Sequence, residues 1–301
     1  MTQLAERLSF VAGETEGRLT ALLHKEAARG APPRLVSALR HAVLSGGKRF
    51  RPFLVVEAAG LFGVPHAKAL DAAAAIECIH CYSLAHDDLP DMDNDVLRRG
   101  QPTVWKAFDT WTAILAGDAL QSLAFEVLTS EDCHPDGRVR CALAAVLAKA
   151  SGAAGMVGGQ ALDLEAERLR TDWTGNAAQV SRMQAMKTGA LIAAACEMGA
   201  ILGGATPAER ADLVAYGRAL GAAFQISDDL LDAEGGAETV GKATGKDAAA
   251  GKATLVSLRG LDTARSDLKA TVAEAIASLA RFADRGDILA EAARLMLHRE
   301  A

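Results

Sequence analysis

Residues 72–100 read AAAAIECIHCYSLAHDDLPDMDNDVLRRG: an apolar, alanine-rich run, then a dense acidic cluster, then an arginine pair. The run from Ala72 to Ala85 carries no proline or glycine and has the composition of a buried helix. Five aspartates follow within nine residues (Asp87, Asp88, Asp91, Asp93 and Asp95), and then come Arg98, Arg99 and Gly100. Carboxylates packed this densely repel one another unless cations sit among them. Oxygen-only ligands suit a hard ion, and Mg²⁺ typically bridges a few carboxylates to substrate phosphates. The arginine pair supplies forked donors that match phosphate oxygens. An acidic helix end or a weak Ca²⁺ loop would use the same residues. The EF-hand pattern, however, needs Gly at its sixth position and Glu at its twelfth, and neither is present.

The rest of the composition agrees with a helical protein. Of 301 residues, 50% are hydrophobic but only 4% aromatic, so the core must be built from Ala, Leu, Val and Ile. Long proline-free spans (103–134, 136–206 and 208–301) favour helices. A net charge of −6 argues against nonspecific nucleic-acid binding. The opening MTQLAERLSF lacks a basic segment followed by an apolar one, and no uninterrupted apolar run of about 18 residues occurs, so the expectation is a cytoplasmic protein without stable membrane insertion. Cys78 and Cys81 have a redox or zinc spacing, but no second pair exists and their flanks are apolar helix. They read as small buried thiols.

Apolar spacing predicts a first helix over about 28 residues and a second over 34–44. Between the second and third helices lies Ser45-Gly46-Gly47-Lys48-Arg49-Phe50-Arg51-Pro52. Unpaired amides at a helix start, with Lys48 and Arg51 beside them, make an anion site or else an ordinary basic turn. A helix from about His66 into Asp88 places Ile76, His80, Ser83 and Asp87 on one face. His80 reads either as a core residue or as part of the acidic site above it. Helical periodicity then covers 103–129, 138–150 and 176–203, with glycines at 152, 155, 158 and 159 allowing a kink or close packing before Gln160 and Asp163. Lys187, inside the last of these helices, either snorkels to water or reaches into a polar cavity. Thr206-Pro207-Ala208-Glu209 reads as a capping box. The helix that it starts runs to about Asp232 and puts Gln225, Asp228, Asp229 and Asp232 on one face. Residues 234–252, rich in Gly and Lys, read as a flap or a solvated loop, and 255–261, 264–282 and 288–297 as closing helices. No repeat or Pro/Ser-rich linker divides the chain, so 1–301 is read as one domain.

At this point the chain resembles the trans-isoprenyl diphosphate synthases, and among them most closely the bacterial farnesyl diphosphate synthases. The resemblance is carried by GGKRFRP at 46–52, DDLPDMD at 87–93 with LRRG at 97–100, GQALDL at 159–164, KTG at 187–189, QISDDLLD at 225–232 and GKATL at 251–255. It implies an all-α, isoprenoid-synthase-type helical bundle around a deep central cavity. Three Mg²⁺ ions would hold an allylic diphosphate between Asp87, Asp88 and Asp93 on one side and Asp228 on the other, with Asp229 and Asp232 nearby. Arg98, Lys187 and Lys242 would grip the leaving diphosphate. Lys48, Arg51, His80 and Arg99 would hold isopentenyl diphosphate, with Lys252 also among the substrate-binding residues.

The same resemblance implies ionisation to an allylic cation, attack by the isopentenyl double bond and loss of a proton, with Thr188 and Gln225 turning oxygen lone pairs toward the cation. Product length would be set beneath the first cluster by Tyr82 and Ser83, five and four residues before Asp87. An aromatic at Tyr82, paired with the Leu89-Pro90 insertion, implies a floor at the farnesyl (C15) length. A homodimer is implied as well. The rival readings are a geranylgeranyl (C20) synthase and a noncatalytic subunit of the same fold.

Overall fold

The computed structural model describes residues 2–169, 176–234 and 254–298. The described residues are almost wholly helical, and the chain separates into two compact units. One comprises residues 1–145 with 201–203, and the other 146–200 with 204–301.

In the first unit, α1 (Gln3–Ala28), α2 (Pro33–Leu44), α3 (Phe50–Gly60), α4 (His66–Asp87), α5 (Val104–Ala107) and α6 (Thr110–Thr129) follow one another, with a two-stranded hairpin of β1 (Leu97–Arg98) and β2 (Gln101–Pro102) between α4 and α5. The core helix is α4, which packs against α1, α2, α3 and α6. Its buried positions run through Ala69, Ala72–Cys78 and on to Ile79, Cys81, Tyr82 and Ala85, so it is apolar nearly all round. A helix of that pattern belongs in the interior. Its alanines permit the close approach of four neighbours. The periodicity read as one helix over 103–129 is broken in the structure at Phe108, where Asp109 accepts from the Thr112 amide at 2.8 Å and caps α6.

The helix α7 (Gly137–Ser151) leads into the second unit, which holds α8 (Met156–Leu169), α9 (Ala177–Gln184), a π-helical turn (Ala185–Gly189), α10 (Ala190–Leu202), α11 (Pro207–Glu234), α12 (Leu255–Arg259), α13 (Leu261–Ala277) and α14 (Asp287–Arg294). The glycines at 152–159 do both things open to them: the chain bends at 152–155, and Gly159 packs tightly. The helix expected over 176–203 is real but carries the π turn in its middle. The Thr206 capping box forms as read, with Thr206 N donating to Glu209 Oε2 at 2.8 Å and Glu209 N to Thr206 Oγ1 at 3.3 Å. Helix α11 packs against α13, and Tyr216 on its buried side donates to Leu289 O at 2.7 Å. The last two closing helices differ from their expected bounds because Ala283, at φ +46, interrupts the stretch Ala280–Gly286.

All five cysteines are free, and four of them are buried, Cys78 and Cys81 included. Burial pushes the Cys81 thiol up to about 12, as expected of a structural rather than a reactive group. Two helical stretches, Gly137–Leu169 and Ala177–Leu202, are apolar and long enough on average to cross a bilayer. The most apolar window of the second is 67% buried within the protein, as a core helix is.

Candidate active site

The first acidic cluster sits where α4 ends. Asp88 N still donates to Leu84 O at 3.0 Å, and then the chain curls. Met92 N and Asn94 N both bond to Leu89 O, and Asp93 N returns to Asp87 O at 2.8 Å. The curl therefore sets Asp93 beside Asp87, and both are half-buried. Asp88 points the other way. Its side chain is 3% exposed, and Arg98 forks onto it, Nη2 to Oδ1 at 2.6 Å and Nε to the two oxygens at 2.9 and 3.1 Å. Burial pushes the Asp88 carboxyl above its ordinary range, and Arg98 only partly offsets this.

A basic pocket adjoins the cluster in the same unit. The β1–β2 turn has Arg99 at φ +53 and Gly100 at φ +75, the geometry of a tight two-residue hairpin. That turn throws the Arg99 guanidinium onto Gly47, where a Cβ would lie 2.5 Å from Nη1, and Nη1 donates to Gly46 O. Only glycine at 47 leaves room for this contact. Lys48 is exposed on the same loop, and Arg51 is half-buried in the first turn of α3. Burial, followed by Arg51, Arg99, Arg98 and Arg49, holds the His80 imidazole well below its ordinary range. A neutral histidine among four guanidiniums is an environment that favours an anion.

Below the cluster, Tyr82 is buried, with its ring edge-on to His86 at 5.8 Å. His86 is in turn fixed by Ile114 O of α6 at 2.9 Å. Gln121 bears on the ionisation of the Tyr82 phenol but is not at hydrogen-bonding geometry, and the hydroxyl has no hydrogen-bond partner among the described residues. The Ser83 hydroxyl is turned to His80 O at 2.9 Å.

The second unit has its own polar cluster, organised by the π turn. A π turn inserts one extra residue and rotates the side chains around it; here it carries Lys187 and Thr188. Gly159 of α8 lies directly on this backbone, and a Cβ there would fall 2.2 Å from Lys187 N. Lys187 Nζ pairs with Asp163 at 2.6 Å. Thr188 Oγ1 donates to Gln225 Oε1 at 3.2 Å, and Gln225 Nε2 donates to Asp229 Oδ1 at 2.9 Å. The other Asp229 oxygen accepts from Gln184 Nε2, also at 2.9 Å. Asp229 is buried, while Asp228 and Asp232 are half-buried. Buried near this cluster is Gln160, whose amide has no partner among the described residues.

The sequence model of the polyprenyl synthetase family matches residues 32–296. The chain belongs to that family. It is 45% identical over 254 residues to the farnesyl diphosphate synthase of Escherichia coli, with 83% of each chain covered. To geranylgeranyl pyrophosphate synthase 9, chloroplastic, of Arabidopsis thaliana it is 44% identical, covering 78% of this chain and 65% of the plant protein. Among solved structures, an apo FPP/GFPP synthase from Zymomonas mobilis superposes with a TM-score of 0.87 at 46% identity, over 98% of both chains. The protein is thus a prenyltransferase of the farnesyl or geranylgeranyl diphosphate synthase type, with the all-α fold of the isoprenyl synthases.

The structure sorts the site residues expected of a polyprenyl synthetase. It brings Lys48, Arg51, His80 and Arg99 together, and separately Lys187, Thr188, Gln225 and Asp229. It divides the six aspartates into four that are half-buried and two, Asp88 and Asp229, that are turned inward onto protein donors. Lys242 and Lys252 lie outside the described residues. Three polar residues escaped the sequence reading: Gln184, Glu77 and Arg49. Glu77 is a single polar side chain within the apolar run 72–79, Gln184 is one of several polar residues on α9, and neither carries a motif. Arg49 sits inside a motif, but its neighbours on either side drew the attention.

Proposed function

We propose that this prenyltransferase joins isopentenyl diphosphate head to tail with dimethylallyl and then geranyl diphosphate and stops at (2E,6E)-farnesyl diphosphate. The observation that supports the stopping point is Tyr82. It lies buried on α4 five residues before Asp87, about 7.5 Å along the helix axis. An aromatic ring braced by His86 at that depth blocks the space that a further isoprene unit would need. The C20 product is the second reading, favoured by the near-equal identity to the plant geranylgeranyl pyrophosphate synthase.

The donor set fits Mg²⁺. The half-buried carboxylates Asp87 and Asp93, and Asp228 and Asp232, are all-oxygen, and among the described residues no group of three or more His, Cys, Asp or Glu is ready to hold an ion alone. Substrate phosphates and water would complete each shell, as this ion prefers. When bound there, Mg²⁺ would act as a Lewis acid that neutralises the departing diphosphate. The protein's own part is to bind and orient. Lys187, Arg98 and Lys242 hold the leaving diphosphate, and Lys48, Arg51, His80, Arg99 and Lys252 hold isopentenyl diphosphate.

The allylic C–O bond breaks with its electron pair passing to the diphosphate oxygen. The isopentenyl double bond then attacks the allylic carbon, and a proton leaves the new chain for the released diphosphate. Asp229 fixes the Gln225 amide nitrogen, so its oxygen faces Thr188 with a lone pair to spare for the cation. Neutral oxygens stabilise a carbocation without being alkylated by it, and apolar walls keep water from quenching it.

The family match spans both compact units, which supports reading 1–301 as one synthase domain. We infer a homodimer, supported by an exposed apolar stripe of Trp111, Ile114 and Leu115 on α6. The same reading makes this a cytoplasmic enzyme. Incubation with isopentenyl diphosphate and each of dimethylallyl, geranyl and farnesyl diphosphate, with and without Mg²⁺, followed by product sizing, tests the proposal. The expected result is Mg²⁺-dependent C15 with farnesyl diphosphate left unextended. Tyr82→Ala should lengthen the product, whereas Tyr82→Phe should leave it at C15, because the hydroxyl has no hydrogen-bond partner among the described residues. Accumulation of C20 by the wild type would discard the floor, and no product from any primer would point to a noncatalytic subunit.

A further inference from the structure

Arg49 lies between the two cations of the basic loop, yet it faces away from them. Its side chain is 0% exposed, whereas Lys48 before it is exposed and Arg51 after it half-buried. Its backbone is left-handed, at φ +46 and ψ +41, a conformation that a side-chain-bearing residue rarely adopts unless its surroundings hold it there. The surroundings here are specific. Nη1 pairs with Glu77 of α4 at 2.8 Å, and Glu77 is itself 2% exposed. Nη2 reaches Glu16 of α1 at 3.0 Å and Val43 O of α2 at 2.5 Å, and Nε lies 3.2 Å from Glu16. One guanidinium thus ties three helices to the turn that begins α3. Burial opposes its charge, but Glu77 and Glu16 more than offset this and keep the group cationic.

We propose that Arg49 is a positioning residue for the isopentenyl diphosphate pocket: by anchoring the left-handed turn to Glu77, Glu16 and Val43, it fixes the directions in which Lys48 and Arg51 leave the loop. The inference rests on the proposed function and names what presets its homoallylic site. The geometry supports it in two ways. The Arg49 guanidinium is buried and paired with Glu77 inside the fold, so direct contact with a ligand is left to Lys48, Arg51 and Arg99. The loop's other end is held by the contact of Arg99 with Gly46 and Gly47, and Arg49 supplies the buried side-chain anchor between Gly47 and Phe50. Lysine cannot replace it, because an ammonium lacks the planar fork that reaches Glu77, Glu16 and a carbonyl at once.

The test is Arg49→Lys, with Glu16→Gln as a milder variant that keeps the buried Arg49–Glu77 pair and changes only the partner that is 41% exposed. For Arg49→Lys, KM for isopentenyl diphosphate should rise about tenfold or more, the equivalent of one lost charge-assisted phosphate contact. The KM for geranyl diphosphate and kcat should stay within about twofold, and Glu16→Gln should shift the isopentenyl KM in the same direction by less. Titration calorimetry of isopentenyl diphosphate without Mg²⁺ gives a readout that does not need turnover, and it should show the same loss. If Arg49→Lys fails to fold, Glu16→Gln decides the matter by the same split. An unchanged isopentenyl KM, or a fall in activity in which both KM values and the folded fraction move together, overturns the proposal. A wild type that binds isopentenyl diphosphate but makes no product overturns the proposed function instead, while weaker binding by the variants still supports the positioning role.

Discussion

Two aspartate pairs, Asp87-Asp88 and Asp228-Asp229, have the same sequence and are built differently. In both, the first aspartate is half-buried and the second is turned inward. The inward Asp88 is paired with the Arg98 guanidinium, whereas the inward Asp229 accepts from the amides of Gln184 and Gln225. A charge-matched carboxylate secures the hairpin that carries Arg98 and Arg99. An amide-bound carboxylate orients Gln225. One motif type thus serves architecture in one unit and side-chain orientation in the other, and the first aspartate of each pair is the proposed metal ligand.

The largest effects should come from the outward members. Asp87→Ala and Asp228→Ala should each lower turnover by about a hundredfold or more, as expected when electrostatic stabilisation of a leaving diphosphate is lost. Steady-state rates at saturating Mg²⁺ check this, and near-wild-type activity in either variant would break the comparison. Next come the inward members, measured as stability in denaturant. Asp88→Asn strands Arg98 and should cost about 3 kcal/mol, at the low end for breaking a buried pair because Arg98 is 30% exposed. Asp229→Asn leaves one glutamine amide facing another donor and should cost about 1–3 kcal/mol. Equal losses would show that the partner's charge is immaterial.

The smallest effect is one of pH and belongs to the basic pocket alone. The folded pKa of His80 lies below its unfolded value of 6.5, so as pH falls through about 6.5 the unfolded chain takes up a proton that the folded protein refuses. Unfolding free energy without substrates should therefore fall between about pH 7 and 5, with a slope of at most about 1.4 kcal/mol per pH unit from this group. His80→Gln should flatten that slope, and an unchanged profile would remove His80 from the account.

Much of this was legible in the sequence for local reasons. Proline and glycine mark the ends of α2 and α11, alanine composition marks α4 as interior, and aspartates one turn apart mark both clusters. What was not legible depends on tertiary partners. Adjacent residues on a helix point about 100° apart, and only neighbouring elements determine whether Asp87 or Asp88 faces inward. The π turn at 185–189 leaves no trace in hydrophobic periodicity, so the helix over 176–203 read as continuous. The interruption at Phe108 was missed because Thr103 to Thr129 keeps a helical pattern across it. The role of Arg49 is set by its left-handed turn and by two carboxylates, Glu16 and Glu77, on helices distant in the chain.

The most direct measurement is calorimetric titration of inorganic pyrophosphate with Mg²⁺ into Asp87→Asn and Asp88→Asn. Asp87→Asn should lose the Mg²⁺-dependent part of pyrophosphate affinity, whereas Asp88→Asn should retain it in its folded fraction. The reverse order would contradict the assignment of outward aspartates to the metal and inward aspartates to the fold.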